Sequence, residues 1–310
     1  MLEVARLTKY FSSGLIRKQY LKAVDGVSFK VEKGGTLGLV GESGCGKTTI
    51  GRLILRLIKP TGGKVLFDGI NLFALNRREL LAIRPRIQMI FQDPDSSLNP
   101  RMKIGTSIAE PLKLHGTIPK AKREQRIREL IETVGLNPEH VNRYPYQLSG
   151  GQNQRVVLAR ILAMNPDLII ADEPTSSLDV SVQAQILNLM KDLQKEFDHT
   201  YLFISHDLDV VRIMADRIAV MYLGRLVEIG ETKDVYDHAK HPYTQALLSA
   251  ATADGGRERI VLEGETSSPI DMSAGCRFHT RCPYMKERCV VEEPKLVEVG
   301  RGHYAACHLV

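Results

Sequence analysis

The chain has 310 residues, a formal net charge of +6, 43% hydrophobic and 25% charged residues, and five cysteines. Such a length suggests about two domains with a sizeable core, and the composition is ordinary for a soluble globular protein. No apolar run approaches the roughly 18 to 20 residues that span a bilayer, and Met1-Leu2-Glu3-Val4 lacks the regions of a secretory signal, so the expected place is the cytoplasm, with any membrane attachment made through a partner.

In chain order, alternating apolar and polar residues at 2–8 and 24–31 predict two antiparallel strands, with residues 64–69 as a third. Tyr10-Phe11 is expected in the loop after the first strand, where an aromatic face could stack on a base. The buried strand Thr36-Leu37-Gly38-Leu39-Val40 then leads into Gly41-Glu42-Ser43-Gly44-Cys45-Gly46-Lys47-Thr48, a Gly-x4-Gly-Lys-Thr phosphate-binding loop. Its glycines let successive N–H groups turn toward phosphate oxygens, and a helix running from Thr49 to Ile58 presents its positive end. Lys47 would reach the terminal phosphates, and the Thr48 hydroxyl would ligate magnesium. Cys45 serves as a small residue whose position would let thiol modification inhibit.

Residues 72–81 predict a short helix and 87–91 a strand, followed by Gln92 and an irregular run. Residues 102–164 read as a helical insert in an α/β domain, with breaks at Gly116, 135–138 and 144–151. The densest basic cluster, residues 120–128, opens a helix with apolar Ile127, Leu130, Ile131 and Val134, so its charges form a solvated face rather than a nucleic-acid patch. Leu148-Ser149-Gly150-Gly151-Gln152 precedes a helix expected over 153–163, with Ser149 as its cap and a second phosphate site as the sharper reading. Residues 167–173 form a buried strand ending in Asp172-Glu173: the first carboxylate suits magnesium and the second a general base. Ser177-Leu178-Asp179, a helix over 180–197, a strand over 200–205 and His206 complete the pattern, with His206 at the sheet edge where such folds bind ligands.

Together these motifs, in this order, resemble the ATP-binding cassette (ABC) ATPases over roughly residues 1–250. The resemblance implies an α/β phosphate-loop fold with an antiparallel β subdomain, a RecA-like core, a helical subdomain at about 93–164 and a small cysteine-rich extension at 251–310. It implies ATP and Mg2+ as ligands. Phe11 would stack on adenine, and Gly41, Ser43, Gly44, Cys45, Gly46, Lys47, Thr48 and Thr49 would hold phosphates. Thr48, Gln92 and Asp172 would serve magnesium, and Lys47, Gln92, Glu173 and His206 catalysis. Ser149, Gly151, Gln152 and Asp179 would act on the nucleotide of a second ATPase subunit in a head-to-tail dimer. Asn153 departs from the Arg or Lys common at that position, which puts a charge near the γ-phosphate in doubt.

Residues 92–101, 177–185, 221–224 and 241–244 are similar to segments of dipeptide/oligopeptide importer ATPases, and the intact Ser-Gly-Gly-Gln points to the F-type subunit. That resemblance implies a D-type ATPase partner or a homodimer, integral membrane permease subunits, an indirect link to a solute-binding protein, no nucleic acid, and a peripheral place on the cytoplasmic face of the membrane. A nickel or other small-solute importer, or a soluble nucleic-acid-remodelling ATPase, is the rival.

The tail carries Cys276-x5-Cys282-x6-Cys289-x17-Cys307. Two disulfides are improbable in the cytoplasm, whereas four thiolates can bind zinc or an iron–sulfur cluster. The spacing is wider than zinc-ribbon pairs, His279, His303 and His308 could compete, and chance clustering of buried thiols is the bland alternative. Resemblance of residues 275–283 to the C-terminal extension of peptide-importer ATPases implies a [4Fe–4S] site.

Overall fold

Alternation builds the first strand, β1 (Leu2–Ser13), whose Leu2, Val4 and Leu7 are buried. It pairs antiparallel with β2 (Gln19–Val31), which buries Val27, Phe29 and Val31 while every second neighbour stays exposed. In this computed structural model, residues 1–13, 19–116, 118–251, 260–262 and 274–310 are described. The chain divides into two units, Met1–Ala74 with Phe203–Val310 and Leu75–Leu202.

The first unit opens with β1 and β2 and continues through β3 (Thr36–Val40), α1 (Lys47–Ile54), β4 (Gly62–Phe67) and β5 (Ile70–Asn71). Four of these strands form one sheet in the order β2-β1-β4-β5, so the expected third antiparallel strand is present as β4. Phe11 falls inside β1, opposite Leu21, and not in a loop after it. The cause is continued pairing: residues 9–13 find partners across β2, which extends the ladder well beyond the short alternating run.

The second unit holds α2 (Arg77–Ile83), β6 (Ile87–Ile90), a short turn of helix α3 (Pro94–Ser97), α4 (Ile104–His115), α5 (Lys120–Thr133), α6 (Gly150–Leu162), β7 (Leu168–Asp172) and α7 (Val180–Phe197). β6 and β7 pair in parallel. Helices α4, α5 and α6 are separated by breaks that include Gly116 and residues 135–138. Gly116 terminates α4 in the left-handed conformation, and Ile127, Leu130, Ile131 and Val134 are buried beneath the charged face of α5. Ser149 is the cap, as expected, and closes a full capping box with Gln152, so α6 begins directly after it, three residues ahead of the expected 153. The boundary between the units lies inside β8 (Thr200–Ser205).

The chain then returns to the first unit with α8 (Leu208–Met214), β9 (Arg217–Tyr222), β10 (Arg225–Glu231), α9 (Thr232–His238), α10 (Pro242–Ala251), α11 (Glu287–Val291), β11 (Val297–Gly300) and β12 (His303–Ala305). Strands lie in the order β11-β12-β10-β9-β3, with β3 and β9 parallel. The C-terminal segment is tied in by Glu228 of β10, which is fully buried. Its carboxylate accepts the N–H groups of Lys240 (2.7 Å) and His241 (2.9 Å) and lies 2.7 Å from His303 Nε2. A buried carboxylate without such partners would be costly, so these contacts fix β12 on β10.

Candidate nucleotide site

All five residues of β3 are buried, and its ladder to β9 delivers the chain to Gly41 at the strand's C-terminal end. The loop that follows can only be made with glycine at two positions. Gly41 and Gly46 have φ of +149° and +109°, and a Cβ on either would lie 2.1 Å from a backbone oxygen, of Met221 and Ala23 respectively. The loop closes around Lys47, which is 5% exposed. Its ammonium donates to the carbonyl oxygens of Gly41 (2.6 Å) and Glu42 (3.0 Å). Gly46 caps α1 without a side-chain hydrogen bond, and no acid sits in the first turn, so the helix's positive end keeps its capacity for an anion. Thr48 and Thr49 lie half-buried in that turn, and Ser43 and Gly44 are exposed at the loop's crest.

The Cys45 thiol, expected as a small loop residue open to inhibitory modification, is buried. It is 3% exposed, and burial pushes its pKa upward despite the nearby Lys47 charge, which leaves little thiolate to react. Phe11 is 37% exposed, and the Lys9 ammonium lies 4.7 Å from its ring centroid. His206 follows β8 with an exposed side chain, immediately before Asp207, which caps α8 by accepting from the N–H groups of Asp209 and Val210.

In the second unit, Asp172 ends β7 and is 4% exposed. Glu173, the next residue, has a left-handed backbone with φ +49°. A non-glycine side chain there is strained by roughly 1–3 kcal/mol, and such strain clusters at functional positions. Gln92 Nε2 donates to Glu173 Oε2 at 3.0 Å, bringing together two residues 81 positions apart. Gly150, Gly151 and Gln152 form the first turn of α6, with the Gln152 side chain accepting from Ser149 N–H (3.0 Å) and Ser149 Oγ from Gln152 N–H (3.3 Å). Asn153 is buried and donates to the carbonyl of Pro145 (3.2 Å), so the position that lacks the expected charge faces the protein interior. Asp179 caps α7. Hydrogen bonds from Val182 N–H and then Ser181 Oγ hold its carboxyl below the ordinary range.

Among the described residues, no group of three or more His, Cys, Asp or Glu is arranged to hold a metal ion. The ligand set Cys276, Cys282, Cys289 and Cys307 is therefore not in ligand geometry. Burial first, and then the charges of Cys289, Cys307 and Cys282, raise Cys276 to about 11. Cys282 and Cys307 move the same way, again chiefly by burial.

The pairing of Arg281 with the loop residue Glu42 is absent from any reading of the sequence. Arg281 Nη1 lies 3.0 Å from both Glu42 carboxylate oxygens, and the Glu42 N–H donates to Tyr243 Oη at 2.9 Å. No local pattern signals a contact spanning 239 positions.

Known proteins resemble this chain in sequence and fold. Residues 24–176 match the family model described as ABC transporter, and residues 227–289 match the one described as oligopeptide/dipeptide transporter, C-terminal region. The oligopeptide transport ATP-binding protein AppF of Bacillus subtilis is 51% identical, over all of this chain and 97% of its own length. This chain belongs to the ABC transporter ATP-binding proteins. A dimeric structure of the ATP-binding cassette MJ0796 bound to ADP and Pi is 33% identical, with a TM-score of 0.67 over 75% of this chain and 99% of its own. CbiO1 of Clostridium perfringens, part of the transporter complex cbiONQ, is 27% identical, with a TM-score of 0.67 over 76% of this chain and 90% of its own. The ABC cassette fold, mixed parallel and antiparallel, is thus shared with solved relatives. No described helix is long and apolar enough to cross a membrane.

Proposed function

We propose that this chain is the ATP-hydrolysing subunit of an importer that carries dipeptides or oligopeptides across the cytoplasmic membrane. The observation that carries the reading is the Gly41–Thr48 loop closed around the Lys47 ammonium, in a chain that matches an oligopeptide transport protein over its whole length. ATP entering the loop would exchange the Lys47–carbonyl contacts for phosphate oxygens, a charge-assisted and stronger partnership. Phe11 offers an exposed ring for adenine. Thr48, Gln92 and Asp172 supply hydroxyl, amide and carboxylate oxygens, the donor type a hard cation such as Mg2+ prefers, and the bound cation would neutralise phosphate charge.

Glu173 is the general base, drawing a proton from the attacking water, and Gln92 orients its carboxylate through the 3.0 Å hydrogen bond. His206 contacts the γ-phosphate. Ser149, Gly151 and Gln152 at the positive end of α6, with Asp179, act on the nucleotide held by a second ATPase subunit, either a D-type partner or another copy. ATP binding then draws subunits together, and the helical insert at about 93–164 transmits closure to permease subunits at the cytoplasmic face. A solute-binding protein would supply the substrate, and nucleic acid has no part.

Residues 251–310 form an extension whose four cysteines hold a [4Fe–4S] cluster, with zinc as the alternative. The match of residues 227–289 to the oligopeptide/dipeptide transporter C-terminal region, which includes three of the cysteines, supports this, and iron with acid-labile sulfide in the isolated protein is the expected finding, zinc without sulfide the contrary one.

The mechanism is tested by Glu173→Gln in the assembled transporter. ATP binding should persist while hydrolysis falls about 100- to 10,000-fold, the usual worth of a general base. Undiminished steady-state hydrolysis would remove Glu173 from that role.

A further inference from the structure

The C-terminal turn at residues 276–282 is built directly onto the phosphate loop. The turn is closed by the His279 N–H on the Cys276 carbonyl (3.1 Å) and the Cys282 N–H on the His279 carbonyl (3.3 Å). Three side chains between the two cysteines pack on other elements of the first unit. Arg277, 8% exposed, donates to Asp25 of β2 and to the Leu223 carbonyl. Phe278, 1% exposed, packs edge-on against Tyr222 (5.3 Å, 87°) and tilted against Tyr243 (5.5 Å). Arg281, 10% exposed, holds the Glu42 carboxylate.

Glu42 is consequently gripped at three points. Its N–H is on Tyr243 Oη, its carboxylate on Arg281, and its carbonyl oxygen carries the Lys47 ammonium at 3.0 Å. An isolated surface ion pair would deserve little weight. This one is only 10% exposed on the arginine side and 31% on the carboxylate side, and it lies on the loop that meets phosphate. Without Arg281, the Glu42 carboxylate would stand uncompensated beside an incoming polyanion, and the loop would lose one of its fixed points.

We propose that Arg281 is a positioning residue for nucleotide binding, which fixes and neutralises Glu42 so that the phosphate loop presents Lys47 correctly to ATP. The turn between Cys276 and Cys282 thereby becomes part of the nucleotide site, and events at the cysteines are felt by the loop. This inference rests on the loop binding ATP, which the unaltered protein reports independently: a parent complex that fails to bind ATP refutes the functional reading itself.

The test is ATP·Mg binding and turnover by the assembled, full-length complex. Arg281→Gln should raise the KM for ATP roughly 5- to 20-fold, the worth of a charge-assisted hydrogen bond, with kcat changed less than about 2-fold. Arg281→Lys, which keeps the charge, should recover most of that loss. The double variant Arg281→Gln/Glu42→Gln should bind ATP better than Arg281→Gln alone, because no lone carboxylate is left. An unchanged KM in Arg281→Gln, or single effects that simply multiply in the double variant, overturns the proposal. Should Arg281→Gln fail to assemble, the double variant against Glu42→Gln decides: equal KM values support the pairing, and a further rise in the double variant contradicts it.

Discussion

The chain carries two glycine-rich turns, residues 41–48 in the first unit and 148–152 in the second, and glycine is there for different reasons. In the first, Gly41 and Gly46 hold positive φ angles with backbone oxygens 2.1 Å from where a Cβ would stand. Shape is set by the main chain, and neighbours have no freedom to yield. In the second, Gly150 and Gly151 belong to the regular first turn of α6, and a Cβ would meet only side chains, Leu178 at 3.4 Å and Val182 at 2.4 Å. The first turn is a buried socket around an ammonium; the second is a capped helix end offered outward, with Ser149 exposed. A socket binds by itself, whereas an outward helix end needs something brought to it, which is what a site shared between two subunits requires.

This contrast is open to direct attack. Gly46→Ala should have the largest effect, because left-handed strain and a backbone clash together cost about 3 kcal/mol or more, which corresponds to roughly a 100-fold loss of ATP affinity. Titration with a fluorescent ATP analogue measures it, and near-parental affinity would mean that the loop is pliable. Gly151→Ala should be milder, destabilising by about 1–3 kcal/mol through overpacking against Val182, with nucleotide affinity of the isolated chain little altered. Thermal melting checks this, and Val182→Ala added to it should restore most of the loss.

A smaller effect concerns acid. Burial lifts the Asp25 carboxyl, but the Tyr10 hydroxyl (2.5 Å) and the charges of Arg225 and Arg277 outweigh burial and lower its pKa. A depressed carboxyl contributes stability above its unfolded pKa and loses it as pH falls through the folded one. Denaturant midpoints of the parent should therefore drop on acidification below the ordinary carboxylate range, and Asp25→Asn should flatten that slope. An Asp25→Asn variant with the parental slope would show that the arginines do not act on this group.

Legibility from sequence followed the range of the interactions. α7 and β8 have the expected bounds because helical and strand periodicity are local. The loop was equally legible, since its glycines, Lys47 and Thr48 are contiguous. Phe11 was displaced into a strand by pairing that its own residue type does not announce, and α6 began early because a capping box overrode two glycines. The Gln92–Glu173 hydrogen bond joins motifs that were each readable, but the left-handed backbone of Glu173 had no residue-level signal. Least legible was the tail. Its cysteines were conspicuous, while the contacts that attach it, Arg281 to Glu42 and Arg277 to Asp25, span 239 and 252 positions. Only folding brings them together.

Whether ATP hydrolysis at this loop drives peptide import is decided by uptake of a labelled dipeptide into vesicles carrying the reconstituted transporter. Accumulation should require ATP on the side of this subunit and be abolished by Glu173→Gln. Accumulation that continues with Glu173→Gln, or brisk ATP hydrolysis that moves no peptide of any length, would contradict it.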